Sequence, residues 1–195
     1  MTPVYKLSAS SITGRTTYGS MLAGNPTYVP PVDDFQSIAT VTVGSGGAAN
    51  VEFTSIPGTY THLQVRFLAQ GGAVGLNVQM NGNTSSDYVS HILYGTGSAV
   101  SAQGGGGESY IPCGRIPTAT YFGVGVIDLL DYQNTNKYKT LRSLSGNDQN
   151  GSGAVWYFSG LYQSTTAISS LKFFSTTGNL SQYSHFALYG IKGVA

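Results

Sequence analysis

From residue 36 onward, apolar and polar residues alternate in short runs, and the runs are separated by Gly, Asn, Ser and Pro. A period of two marks a strand with one face on a core and the other toward water. The stretches marked in this way are 37–43, 49–53, 61–69, 76–81, 88–95, 121–130, 138–146, 154–163, 168–175 and 185–192. With no window of helical periodicity, they predict an all-β antiparallel sandwich of jelly-roll type and exclude a parallel α/β fold. "GSGG" at 44–47 and "NGN" at 81–83 suit tight turns, where Gly and Asn reach positive φ easily. "DLLDYQNTN" at 128–136 is expected to hold at most one short helical turn.

The alternation is not uniform. In "THLQVRF", Leu63, Val65 and Phe67 share one face, while His62, Gln64 and Arg66 share the other. The last strand differs, since Phe186 and Leu188 oppose Ala187, Tyr189 and Ile191 and both sides are apolar. "YFGVGVIDLL" and "AVWYFSGLY" repeat this two-sided character, which predicts a second layer over the outer face. "YVSHILYG" at 88–95 echoes "YSHFALYG" at 183–190, but eight residues do not establish a repeat.

Residues 1–35 lack such runs. They hold Pro3, Pro26, Pro30 and Pro31 with scattered tyrosines, and "NPTYVPPVDD" must be extended because each residue before a proline is pushed out of the helical region. The chain therefore divides into an extended N-terminal arm, 1–35, and a sandwich domain, 36–195.

Composition adds a constraint on the surface. Of 195 residues only 9% are charged, against 27 Gly and 14 Tyr. So few charges protect a surface poorly against association, and neighbouring subunits are expected to cover much of it. A formal charge of +1 gives no field for phosphate neutralisation, so nucleic acid is not an expected partner. No run of 18 apolar residues occurs and "MTPVYKLSASS" has no leader-like apolar segment, so neither a membrane partner nor export by a leader is expected. The glycosylation patterns at Asn83, Asn150 and Asn179 then carry no weight.

The search for chemistry yields little. Asp128 and Asp131 end one strand, but a three-residue spacing does not set two carboxyls across a sugar cleft. Ser90-His91 and Ser184-His185 point to opposite faces of their strands and cannot act as local dyads. "QGGGGES" at 103–109 lacks the Lys-Ser/Thr ending of a phosphate loop and reads as a flexible loop. "DQNGSG" at 148–153 alternates Asp148, Asn150 and Ser152 without a closing acid and reads as a polar turn rather than a calcium loop. Cys113 has no partner at ligand spacing and reads as a small, half-buried strand residue. No catalytic residue, metal ligand or cofactor site is expected. Tyr88, Tyr94, Tyr110, Tyr132, Trp156 and Tyr162 remain as candidates for a sugar-stacking platform, for a core or for an interface.

Three stretches carry a resemblance: "SIATVTVGSGGAANVEFTSIPGTYTHLQVR" at 37–66, "DLLDYQNTNKYKTLRSLSG" at 128–146, and "AISSLKFF" followed by a "SHFALYGIKG" ending. Together they resemble virion structural proteins of tailed bacteriophages, over about four fifths of the chain. The resemblance implies a non-enzymatic β-sandwich on a particle, with no catalytic residues to transfer. The leading expectation is a capsid-decorating or cement protein, a homotrimer located on the virion, bound to the major capsid protein or another virion protein. Its arm contacts would be Tyr5, Lys6, Arg15, Tyr18, Tyr28, Pro30 and Pro31, and its sandwich contacts Phe122, Tyr189 and Ile191. The alternative is a tail or fibre tip in which "QGGGGESYIPCGR" and "GNDQNGSG" form outer loops that grip host glycan.

Overall fold

The computed structural model describes residues 34–72, 75–118 and 120–193. The arm residues Tyr5, Lys6, Arg15, Tyr18, Tyr28, Pro30 and Pro31 lie outside these. Twelve strands and no helix occur among the described residues. In chain order the strands are β1 (Phe35–Thr42), β2 (Asn50–Phe53), β3 (His62–Ala69), β4 (Gly75–Met80), β5 (Tyr88–Gly95) and β6 (Val100–Glu108). They continue as β7 (Ile111–Arg115), β8 (Gly123–Leu130), β9 (Lys139–Asp148), β10 (Gly153–Tyr162), β11 (Leu171–Ser175) and β12 (His185–Ile191).

The strands form two antiparallel sheets, a β-sandwich of unequal layers. The wide sheet runs β1-β12-β3-β8-β9-β10-β5-β6 and the narrow sheet β2-β11-β4-β7. Two hairpins, β5-β6 and β9-β10, account for the difference. Without them, the other eight strands renumber to 1-8-3-6 in one sheet and 2-7-4-5 in the other.

The inward residues follow the alternation of the sequence. Leu63, Val65 and Phe67 of β3 and Phe186 and Leu188 of β12 meet Val51, Phe53, Val78, Met80 and Phe173 of the narrow sheet in one core. Phe173 stands edge-on to Phe53 at 6.2 Å and stacks on Phe186 at 5.6 Å. Two inward glycines give large rings their space. A Cβ on Gly125 would stand 2.5 Å from the Phe67 ring, and one on Gly190 would stand 2.3 Å from the Tyr60 ring. The free edge of β7 is closed by hydroxyls of the opposite layer. Ser143 Oγ donates to the Cys113 carbonyl at 2.6 Å, and the Arg115 N–H donates to Ser145 Oγ at 2.8 Å. These buried serines replace the ladder that an unpaired edge would otherwise lack.

Several sequence expectations need correction. "QGGGGES" is not a flexible loop, because residues through Glu108 belong to β6, and "IPCGR" is β7; the expected outer loop is two strands. The glycines serve the ladder. A Cβ on Gly104 would come within 2.9 Å of the His91 ring, and Gly107, at φ +72°, is the extra residue where the pairing passes from Tyr88–Glu108 to Val89–Gly106. "DLLDYQNTN" forms no helical turn. Asp131 at φ +49° opens a turn in which the Asn134 N–H donates to the Asp131 carbonyl, and Tyr132 is pulled inward to bond the Pro57 carbonyl. Cys113 is fully rather than half buried, which raises its thiol pKa well above the ordinary value. The turn at 148–153 is polar as expected, with Asn150 and Gly151 at positive φ between β9 and β10.

Candidate functional site

The catalytic candidates are placed by the structure as follows. Asp128 points outward from β8 and accepts from Gln64 Nε2 at 2.9 Å and Arg142 Nε at 3.1 Å. Asp131 lies in the following turn, bonded to Lys137, with its own N–H donating to His62 Nδ1 at 3.0 Å. The Lys137 ammonium lowers the Asp131 carboxyl pKa, burial raises it, and the net shift is below the ordinary value. Asp128 is thus neutralised by Arg142 of the neighbouring strand β9, and Asp131 by Lys137 of its own turn.

Ser90 is buried while His91 is exposed on the opposite face, against Gly104. Ser184 is buried and its hydroxyl bonds both backbone groups of Gln70 at 3.1 Å, while His185 Nδ1 shares a hydrogen bond with Thr42 Oγ1 at 2.9 Å. Neither serine meets a histidine. Among the described residues no three His, Cys, Asp or Glu side chains gather as a metal site.

The aromatic candidates separate into two groups. Tyr88, Tyr132 and Tyr162 are core residues, Tyr88 and Tyr162 stacking at 4.7 Å. Tyr94, Tyr110 and Trp156 are only partly buried. Tyr94 stacks on Trp156 at 3.9 Å, and the Arg115 guanidinium lies 4.7 Å from the Trp156 ring centroid. Tyr94 and Trp156 belong to the side of the wide sheet that faces the narrow one, near its β5-β6 end, and Arg115 is on β7, the last strand of the narrow sheet.

The more extensive feature is the other face of the wide sheet. Cross-strand partners share a face, so the register fixes its rows. One row runs Leu68, Val124, Gly146, Val155, Gly95 and Val100. The next runs Arg66, Val126, Leu144, Tyr157, Leu93 and Ala102. A third, polar row begins Gln64, Asp128, Arg142 and Ser159. In the first two rows large apolar side chains are exposed, Val124 at 52%, Leu144 at 56% and Val155 at 61%. Such residues at adjacent positions form a patch rather than the scattered exposure ordinary for a monomer. Gly146 and Gly95 leave gaps between them, and an open groove of about 460 Å³ crosses the patch, lined by Arg66, Val126, Leu144, Gly146 and Val155 among others.

The expected sandwich contacts fall around this face. Phe122 is half-buried just before β8 and lines a second groove that shares Val124, Gly146 and Val155 with the first. Tyr189 and Ile191 are half-buried at the β1 side; Tyr189 stacks on Phe35 at 4.7 Å, with the Arg66 guanidinium 5.4 Å from its centroid. The sequence singled out Phe122, Tyr189 and Ile191 but missed Leu68, Leu93 and Leu144, which single strands mark only as breaks in an otherwise polar outer face. It also missed Lys139. Its side chain is fully buried, and its ammonium donates to the carbonyls of Asn134, Lys137 at 3.1 Å and Thr165 at 3.0 Å. Burial lowers its pKa below the usual lysine value.

The architecture defines a sandwich of unequal antiparallel layers with an apolar outer face. Compared with known proteins, the chain matches no family model, no curated protein and no solved structure.

Proposed function

We propose that this protein is a non-enzymatic structural component of a tailed-phage particle, a capsid-decorating or cement protein whose arm, residues 1–35, attaches it to the major capsid protein or another virion protein. The observation that carries the reading is the apolar outer face of the wide sheet, with Val124, Leu144 and Val155 each more than half exposed. A face of this kind calls for a protein neighbour. The 1-8-3-6 and 2-7-4-5 strand order supports a jelly roll with two inserted hairpins as the scaffold. The resemblance of residues 37–66, 128–146 and the ending to virion proteins supports the setting.

Quantitative mass spectrometry of purified particles tests the role: hundreds of copies per particle fit decoration, and absence from the particle overturns the reading. Full loading by a chain lacking residues 1–35 would remove the anchoring role of the arm.

A second reading, a tail or fibre tip that binds host-surface glycan, draws on Tyr94, Trp156 and Arg115, whose stack offers an aromatic surface beside a cation. A few copies per particle together with glycan binding lost in Tyr94→Ala would favour it.

A further inference from the structure

The outer face of the wide sheet is self-complementary along one strand. On β9, Arg142, Leu144, Gly146 and Asp148 follow one another at alternate positions and share the exposed face. The order is cation, large apolar side chain, gap, anion. On β5 the same large-then-gap order recurs as Leu93 and Gly95. A twofold axis lying in the face and crossing β9 at Ser145 exchanges residue 144 with 146 and 142 with 148. We propose that two copies of this chain pack these faces together about that axis, the Leu144 of each seated over the partner's Gly146 and its Arg142 meeting the partner's Asp148.

The same rotation places Leu93 over the partner's Gly95 and sets Tyr157 against Val155 and Val126 against Val124. All these pairs lie in the two apolar rows, and at the β3 end of the rows the same rotation sets Leu68 against Arg66, whose guanidinium lies over the Phe35 and Tyr189 rings. An isologous contact demands this reciprocity, and an unrelated partner does not. The exposed apolar side chains of the two rows sum to on the order of 800 Å², the share one partner contributes to a standard interface. The strands of the two copies run antiparallel across the contact, an alignment that sheet-on-sheet packing permits. Arg142 and Asp148 are both exposed on the isolated chain, where Arg142 also bonds Asp128, so across the axis Arg142 stands between Asp128 and the partner's Asp148.

A Cβ at Gly146 meets only ordinary van der Waals neighbours, the closest being the Ala154 carbonyl oxygen at 3.4 Å, and the groove beyond it is open. The gap can therefore be filled without disturbing the fold. Sedimentation of the full chain over a range of concentrations should show a dimer, in place of the trimer expected from the sequence. Gly146→Leu, which sets leucine against leucine across the axis, should weaken it at least about tenfold. Leu144→Ala combined with Gly146→Leu moves the large residue to the other position and should restore the dimer to within about threefold. Asp148→Arg should weaken pairing by about tenfold, and this loss should shrink as salt is raised. A cooperative melt near that of the parent chain confirms folding of each variant.

A chain that stays monomeric, a trimer, or a dimer indifferent to Gly146→Leu overturns the proposal. So does a monomer whose loading onto particles is blocked by Gly146→Leu, which gives the face to a particle protein instead. The inference deepens the assembly reading by naming the partner of the apolar face. Pairing is measured without particles, so its failure and the failure of a virion role are separate results.

Discussion

Phe35 and Tyr189 stack with their ring centroids 4.7 Å apart and 22° between their planes, which pins the first residue of β1 to the third residue from the end of β12. Arg66 lies over both rings, 5.2 Å from Phe35 and 5.4 Å from Tyr189. Among the described residues β1 is an edge strand bonded only to β12. Losing an aromatic stack and a cation–π contact costs about 1–2 kcal/mol at a partly exposed site. Tyr189→Ala should therefore lower amide protection in β1 by roughly tenfold while leaving β3 and β8 unchanged, as read by hydrogen exchange.

Lys139 ties three carbonyls from the turn after β8 and the segment after β10. Lys139→Met preserves much of the volume but leaves those carbonyls without their donor. The expected cost is about 3 kcal/mol, a fall in Tm of about 6–12 °C for a chain of this size. A melt within about 2 °C of the parent would show that water replaces the ammonium at little cost.

Ser143→Val should be costly for a related reason. The variant adds a methyl group and removes the hydroxyl, so the Cys113 carbonyl loses its bond from Ser143 across the layers. About 1–3 kcal/mol should be lost, measurable as a shift in denaturant midpoint at constant slope. Ser143→Thr keeps the donor and should lose much less.

Tyr88 gives the protein an alkaline limit. Its hydroxyl is buried against the Met80 and Asn83 backbone, and burial, with smaller contributions from Tyr162 and Asp87, pushes its pKa up to about 12. The folded state holds the proton more tightly than the unfolded chain does. Its stabilising contribution is therefore whole below pH 10 and is lost as pH rises from about 10 to 12. Tyr88→Phe should flatten the loss of stability over that window, at the expense of the bonds to Met80 and Asn83, when unfolding is followed against pH.

Much of the sandwich was legible because its strands carry the side chains that alternate. "THLQVRF" shows its inward Leu63, Val65 and Phe67 without ambiguity, and the structure buries all three. β6 was not legible, since Gly104 to Gly107 have no side chains with which to alternate, and their reason for being glycine, the His91 ring and a bulge, lies on another strand. β7 was hidden by Pro112 at a register shift against β4, a position where proline is tolerated beside an edge. Lys139 shares the face of the inward Leu141 but reads as outward because of its charge, and the returning carbonyls of Asn134 and Thr165 explain its burial. The outer face required knowledge of which strands adjoin. Val124, Gly146 and Val155 come from three segments of chain and form a row only after β8, β9 and β10 are paired.

The hairpins β5-β6 and β9-β10 make one layer eight strands wide and leave the other at four. Phe173 and Phe186, at the centre of the core, belong to neither hairpin. The hairpins still reach inward, through Tyr88, Leu141 and Tyr162, and the outer face still draws Leu68, Val124 and Val126 from β3 and β8. Widening one layer has therefore enlarged the outer surface and the interior together, and a change of either ribbon is felt on both sides of the sheet.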